Sequence, residues 1–322
     1  MFNFDTTREY KISEDRGNSE LGMSLNFTKL KTTQDMEEAK AYSPLDHYSQ
    51  MHIILDHRGY NDIGKIAVGG SGIVVSASKG GHKFALKSTT IFPYYSNIQT
   101  PWEVLNEEAK NLEFLHNKKV PNLVDFYGFD SAFFDGFYGG FLQLELCGGS
   151  AFDGSVYSAP KLVGHTLKAA ETLAHMHEHG LVHGDIKPNN ILTNFSGKVR
   201  LVDLATAREP LKEYIVSPCS PGFLAPELFS TTVRTKSGDV FSLAATLYEA
   251  TSGKNIRGGK NYGQVFNQFV NPLSPRIMGA KISKKLDNAI MSGLESNYRP
   301  NLNEFTELLL KTPEAKDYCS EK

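Results

Sequence analysis

The ten residues HGDIKPNNIL, His183–Leu192, constrain this chain more than any other stretch. They hold a carboxylate, a lysine and an amide close together: Asp185, Lys187 and Asn190. The carboxylate can accept a proton from an attacking hydroxyl. The asparagine can ligate a metal beside it, and the lysine between them can neutralise a phosphoryl group in transit. That is the equipment of phosphoryl transfer, where catalysis is mostly positioning and charge stabilisation. A polar loop between a helix and a strand can carry the same residues by chance. The rest of the chain must therefore supply a phosphate cradle, a second lysine and a second metal-binding carboxylate.

A cradle is present upstream. IGKIAVGGSGIVVSAS, from Ile63, predicts strand, glycine turn, strand; a tight turn at Lys79–Gly81 leads into a third strand, HKFALKS. Gly69, Gly70 and Gly72 lack side chains, so backbone amides can approach phosphates closely. A dinucleotide-binding loop would continue into a helix, whereas β-branched Ile73, Val74 and Val75 follow here. Strand alternation puts Ala85 and Lys87 on one face and Phe84 and Leu86 on the other. Thr100-Pro101-Trp102-Glu103 then opens a helix running to about His116. Glu108, Leu112 and Leu115 share a face of it, so packing the leucines inward carries Glu108 inward, where it needs a cation. Lys87 is the candidate, and Glu107, one position out of phase, is the solvated neighbour.

PNLVDFYGF and GGFLQLELC predict two more strands, and Gly148-Gly149 marks a lobe boundary. Beyond it the pattern is helical from Leu162 to His179. His175, His177, His179 and His183 do not make a metal site, because alternate residues on a helix point apart. Ile191–Thr193 and Val199–Val202 predict a hairpin that returns Asp203 toward Asn190, so that a carboxylate and an amide converge on one cation. Further helices are expected at Ser237 (as cap) to Tyr248, Tyr262–Phe269, Ser283–Met291 and Asn301–Leu310, with a short one at Thr33–Tyr42.

With these residues in place, the chain resembles the eukaryotic-type serine/threonine protein kinase family from about Ile63 to Leu310. AVGGSGIV resembles the glycine-rich loop and FALK the strand that carries the nucleotide lysine. LELC resembles the hinge, HGDIKPNN the catalytic loop, VDLA the metal-binding triplet and APE the end of the activation segment. The resemblance implies an α+β, two-lobed fold with a small β-rich N-lobe and a larger helical C-lobe. It implies ATP and Mg2+ as cofactors. ATP would meet Ala67, Gly69, Gly70, Ser71, Gly72, Val74, Ala85, Lys87, Leu144, Glu145, Cys147 and Leu192. Asp185, Lys187, Lys87 and Glu108 would be catalytic, and Asn190 and Asp203 would hold the metal. Arg299 would pair with Glu227, and Asp239 would brace the catalytic loop. Lys187-Pro188 resembles serine/threonine rather than tyrosine kinases. Three positions depart from the family pattern: Ala67 for the first loop glycine, Gly184 for arginine, and Ala205 for glycine. Without a guanidinium at 184, activity is expected not to depend on a phosphate in the activation segment, leaving control to residues 1–58, a partner or expression.

Composition narrows the field. A net charge of −2 over 322 residues gives no electrostatic support for nucleic-acid binding, and no apolar run approaches a membrane span. Three scattered cysteines, Cys147, Cys219 and Cys319, fit a reducing compartment, so a cytoplasmic protein is expected. The expected layout is an extension (1–58), an N-lobe (59–147), a C-lobe (148–312) and a tail (313–322). The implied function is γ-phosphoryl transfer to serine or threonine hydroxyls of protein substrates. A small-molecule kinase of the aminoglycoside or choline type lacks the Ala-Pro-Glu segment and its arginine partner. A pseudokinase scaffold would have lost Lys87, Asp185 or Asp203.

Overall fold

The computed structural model describes residues 47–69, 72–88, 101–134, 137–212, 220–229, 231–256 and 272–320. Gly70, Ser71, Thr100 and the expected helices at Thr33–Tyr42 and Tyr262–Phe269 lie outside these residues. The first half builds one antiparallel sheet from β1 (Asn61–Gly69), β2 (Gly72–Lys79), β3 (His82–Ser88), β4 (Phe126–Phe134) and β5 (Phe137–Glu145), in the order β1-β2-β3-β5-β4. The two faces of this sheet go into different cores, as period-two alternation requires. Ile73, Val75, Ala77, Leu86 and Phe141 form a core with Met51, Ile54, Leu55 and Tyr60. Ala85, Leu142 and Leu144 face the opposite way, into the core that continues through the second half of the chain.

Helix α1 (His47–His57) supplies the first of these cores. Its Met51, Ile54 and Leu55 are spaced i, i+3, i+4, which makes a short apolar stripe. The sequence assigns no element to this stretch, because the stripe is only one turn long and sits among histidines and polar residues. The stretch expected as a tail likewise contains α7 (Pro313–Ser320), whose Tyr318 ring lies where a Cβ on Gly164 would stand, 2.3–2.5 Å from that position.

Helix α2 (Pro101–Asn117) crosses behind the sheet with Leu105, Ala109, Leu112 and Leu115 buried. A one-residue link, Leu146, joins β5 to β6 (Cys147–Ser150), which heads a second sheet with β7 (Ile191–Asn194) and β8 (Val199–Leu201). The predicted hairpin forms in register, Ile191 opposite Leu201 and Thr193 opposite Val199. Below lie α3 (Ala159–Glu178), α4 (Lys236–Ser252), α5 (Lys284–Gly293) and α6 (Leu302–Leu310). Every residue of α4 from Gly238 to Tyr248 is buried, so it is the central post of this half. Its cap is Thr235, whose hydroxyl accepts from the Gly238 amide at 2.9 Å, and not Ser237, which lies inside the helix. Asn301 and Glu304 form a reciprocal capping box at the start of α6.

Leu55 is fully buried under the sheet. Leu55→Ala should lower the unfolding free energy by about 2–5 kcal/mol, measured by denaturant titration. A change within about 0.5 kcal/mol would show that α1 does not pack on the sheet in solution.

Candidate active site

Three separated stretches meet at the Lys87 ammonium. β3 delivers the lysine on the face shared with Ala85, as alternation predicts. Its Nζ donates to Glu108 Oε2 at 2.7 Å, Glu108 Oε1 at 2.9 Å and Asp203 Oδ1 at 2.7 Å. Glu108 comes from α2 in the predicted phase, 1% exposed, while Glu107 faces solvent. Glu108 Oε1 also accepts from the Leu204 amide at 3.1 Å, which ties α2 to the chain following Asp203. Asn111 adds a second tie, its Nδ2 donating to the Ala207 carbonyl at 2.9 Å.

The charges of this group support one another. Burial works against the Lys87 cation, but the Asp203 and Glu108 carboxylates outweigh it and hold its pKa above the ordinary lysine value. Burial would raise Asp203, yet Lys87, with help from Lys187, holds it down to about 2. Glu108 is pushed up by burial, against the pull of Lys87 and the Leu204 amide. Asp203 has left-handed backbone angles, φ 64° and ψ 74°, at the end of the β7–β8 hairpin. A non-glycine residue in that region marks a position the surroundings over-determine, and such positions cluster at functional sites.

Asp185 is fixed from three sides. Lys187 Nζ donates to its Oδ2 at 2.6 Å, Asn190 Nδ2 to the same oxygen at 3.2 Å, and the Ser220 amide to Oδ1 at 3.0 Å. Lys187 also donates to the Ser220 hydroxyl at 2.8 Å. Asn190 spends its amide nitrogen on the Asp185 carbonyl and carboxylate, so its oxygen is the donor left for a cation. Together with Asp203 this makes an all-oxygen set of two protein groups. Such a set fits a small hard cation that completes its shell with water and substrate phosphates.

The loop beneath is braced by Asp239 from the first turn of α4. Its carboxylate accepts from the His183 amide at 2.9 Å, the Gly184 amide at 2.8 Å and His177 Nε2 at 2.8 Å. Burial would raise this carboxyl, but the His177 hydrogen bond and the charges and amide around it keep it below its ordinary value. The sequence places Asp239 at this brace and misses His177. The only signal for it was an inward phase on α3, which also suits a core residue.

Strand register fixes where the residues expected to meet a nucleotide lie. Val74 pairs with Lys87 across β2–β3, and Ala85 with Leu144 across β3–β5. Ala67 and Gly69 lie on β1, opposite Val74 and Gly72. Leu192 is half-buried on β7, opposite Ser150. Glu145 does more than expose backbone. Its amide donates to the Asp125 carbonyl at 2.9 Å. Its side chain accepts from Arg200 Nε, at 2.5 Å, and from Asn194 Nδ2, at 2.7 Å, on the second sheet. Burial and the Glu145 carboxylate push the Cys147 thiol up to about 12. Farther off, the Arg299 guanidinium pairs with Glu227, donates to the Ser237 carbonyl at 3.2 Å and lies 5.0 Å from the Phe241 ring centroid.

A family model described as "Protein kinase domain" matches residues 60–316. Mitogen-activated protein kinase 13 of Mus musculus is 26% identical over 261 residues, covering 78% of this chain and 69% of its own. Serine/threonine-protein kinase ppk11 of Schizosaccharomyces pombe is 26% identical over 278 residues, covering 82% and 84%. Serine/threonine-protein kinase SSK22 of Saccharomyces cerevisiae is 31% identical over 179 residues, covering 47% of this chain and 13% of that protein.

Two outcomes follow from the buried charges. Glu108→Gln should cost about 3 kcal/mol of stability, since removing one partner of a buried pair strands the other. Glu107→Gln should stay within about 0.5 kcal/mol. Equal effects in denaturant titrations would put the register of α2 off by one. For Asp239 the folded pKa lies below the unfolded one, so its stabilisation is complete above the unfolded value and lost as pH falls through the folded value. The stability gap between wild type and Asp239→Asn should therefore hold from neutral pH to about pH 5 and narrow below about pH 4. A gap unchanged down to about pH 3 would contradict it.

Proposed function

The chain belongs to the protein kinase domain family, and from that premise we propose that it is an ATP- and Mg2+-dependent kinase acting on serine and threonine hydroxyls of proteins. The observation that carries the proposal is the convergence of Lys87 on Glu108 and Asp203, beside an Asp185 oriented by Lys187, Asn190 and Ser220. Each group has a task in one in-line displacement. Lys87, held by Glu108, grips the nucleotide phosphates beneath the β1–β2 turn. Ala67, Gly69, Gly72 and Val74 on those strands would meet the nucleotide, as would Gly70 and Ser71, which stand between them in sequence. Ala85, Leu144 and Leu192 enclose the adenine, which reads the backbone of Glu145 and Cys147. Asp203 and Asn190 would hold Mg2+, which would supply charge neutralisation to the phosphates.

Asp185 accepts the proton of the substrate hydroxyl as its oxygen bonds to the γ-phosphorus. The bond from that phosphorus to the bridging oxygen breaks, and ADP leaves. Lys187 stands at Asp185 and Ser220, where it offsets charge on the group in transfer. Serine/threonine preference is supported by the Lys187-Pro188 pair. Protein rather than small-molecule substrates are supported by the Glu227–Arg299 pair at the end of the activation segment. Free Cys147 and Cys319 suit a cytoplasmic setting. Among the described residues, no helix is long and apolar enough to cross a membrane.

Lys87→Met and Asp203→Ala should each lower phosphate transfer from labelled ATP to a general protein substrate by about a thousandfold or more, of order 4 kcal/mol of barrier. They should act by different routes: raising Mg2+ leaves both inactive, but nucleotide affinity measured without metal falls only in Lys87→Met. Phosphoamino-acid analysis should give phosphoserine and phosphothreonine. Appreciable transfer by Asp203→Ala in Mg2+ would remove its assigned role, and phosphotyrosine as the main product would remove the assigned specificity.

A further inference from the structure

The stretch from Pro272 to Leu286 carries four cations, Arg276, Lys281, Lys284 and Lys285, and no carboxylate, in a chain whose net charge is −2. All four are exposed, and among the described residues none of them pairs with an acid. The carboxylates that bond to this stretch are already spent. Asp287, 8% exposed, accepts from the Arg276 amide at 3.0 Å. Glu314, reaching over from α7, accepts from the Ser283 amide at 2.6 Å and the Ser283 hydroxyl at 2.8 Å. Lys284 and Lys285 also open α5, at the end of a helix where the backbone dipole favours carboxylates over cations. Among the described residues no group relieves these charges, so the face is suited to acidic groups from outside.

Two large apolar side chains stand out to solvent in the same stretch: Leu273, 61% exposed, and Ile277, 71% exposed. Single exposed apolar residues are ordinary, but these two sit on a turn whose backbone is fastened to the core. The hydroxyl of buried Tyr248 donates to the Leu273 carbonyl at 2.8 Å and lies 3.0 Å from Met278 Sδ. The Met278 amide closes the turn on the Ser274 carbonyl at 3.2 Å, and the Ala280 amide on the Pro275 carbonyl at 2.9 Å. Met278 and Ile282 pack against the core, while Ile277 is turned out and held there. Apolar side chains with a charged rim are the make-up of a protein-binding face, and a backbone already fixed lowers the ordering cost of association. A membrane-binding face would carry aromatic side chains among its cations, and the sequence from Pro272 to Leu286 has none.

We propose that the face from Leu273 to Lys285 docks an acidic, apolar segment of a partner protein. The segment's apolar side chains cover Leu273 and Ile277, and its carboxylates take up Arg276, Lys281, Lys284 and Lys285. None of these residues belongs to the site built on Lys87 and Asp185, so the face holds a protein by a part that is not being phosphorylated. Its use as a hold on substrates rests on the kinase reading; the docking itself does not.

The test uses the full chain and fluorescein-labelled peptides read by fluorescence anisotropy at about 0.1 M salt. One peptide intersperses glutamates with leucines; the second replaces the leucines by serines, and the third replaces the glutamates by lysines. Wild type should bind the first at least about tenfold more tightly than either of the others. Ile277→Ser, and Lys284→Glu combined with Lys285→Glu, should each weaken that binding by at least about fivefold. These side chains are exposed, so both variants should fold as wild type does, checked by Tm. Equal binding of the first peptide and either control, affinity unmoved by either variant, or no binding at all would overturn the docking face. Capture of wild type, but not of the double lysine variant, on phosphatidylserine vesicles without peptide binding would also overturn it, in favour of a lipid surface. The hold on substrates is read separately, with the first peptide fused to a general protein substrate. The fusion should lower KM by at least about fivefold at unchanged kcat in wild type, and neither variant should show that gain. An unchanged KM would overturn the hold on substrates. A protein that binds the peptide through Ile277 and the lysines yet transfers no phosphoryl group would keep the docking face and lose the kinase reading.

Discussion

The Lys87 ammonium is the point on which the site depends. It is buried, it is shared by two carboxylates, and each carboxylate is carried by a different element. A lysine in that setting stays charged only because both partners are present, and the partners tolerate burial only because of the lysine. The arrangement therefore reports on three placements at once: the register of β3, the inward turn of α2 and the left-handed turn at Asp203. The cluster also carries one negative charge more than positive, which favours a further cation at Asp203.

A second dependence runs beneath the first. Asp239 accepts two consecutive backbone amides of the catalytic loop and a histidine from α3. The loop's shape is thus dictated by a helix buried without a break from Gly238 to Tyr248, and α4 can be placed only by packing. Positioning of Asp185 is in this sense an outcome of core formation. The Arg299–Glu227 pair works alongside: it spans from the loop before α6 to the segment preceding α4 and stacks on Phe241 of that helix.

Much of this was legible in the sequence where a short period governs. The alternation of FALK gave the two faces of β3, and the phase of Glu108 with Leu112 and Leu115 singled it out over Glu107. The helix over Asn301–Leu310 and the β7–β8 hairpin were readable because their signals are local. The features that escaped are set by partners far along the chain. Thr235 and Ser237 both have capping side chains, and the fold gives the cap to Thr235 while Arg299, 62 residues on, binds Ser237. His177 is defined by a carboxylate 62 residues away. Glu145 holds Arg200 and Asn194 with a side chain that the hinge resemblance leaves unassigned. Helix α1 was missed for the opposite reason: its stripe is local but too short to stand out without the sheet it covers.

The division of the first sheet between two cores also bears on how the chain acquires its structure during synthesis. The core under α1 draws on residues 48–141, whereas the buried residues of the other run from β3 to α7. The former is therefore complete in sequence once the first half of the chain has left the ribosome. Its pairings are mostly between neighbouring hairpin strands, which close small loops quickly. The opposite face of the same sheet, carrying Ala85, Leu142 and Leu144, is covered within the first half by α2 alone, and the rest of its core waits for the helices of the second half. During that interval the nascent chain presents an incomplete apolar core, and the rate of translation through residues 159–252 sets how long it stays open to misassociation.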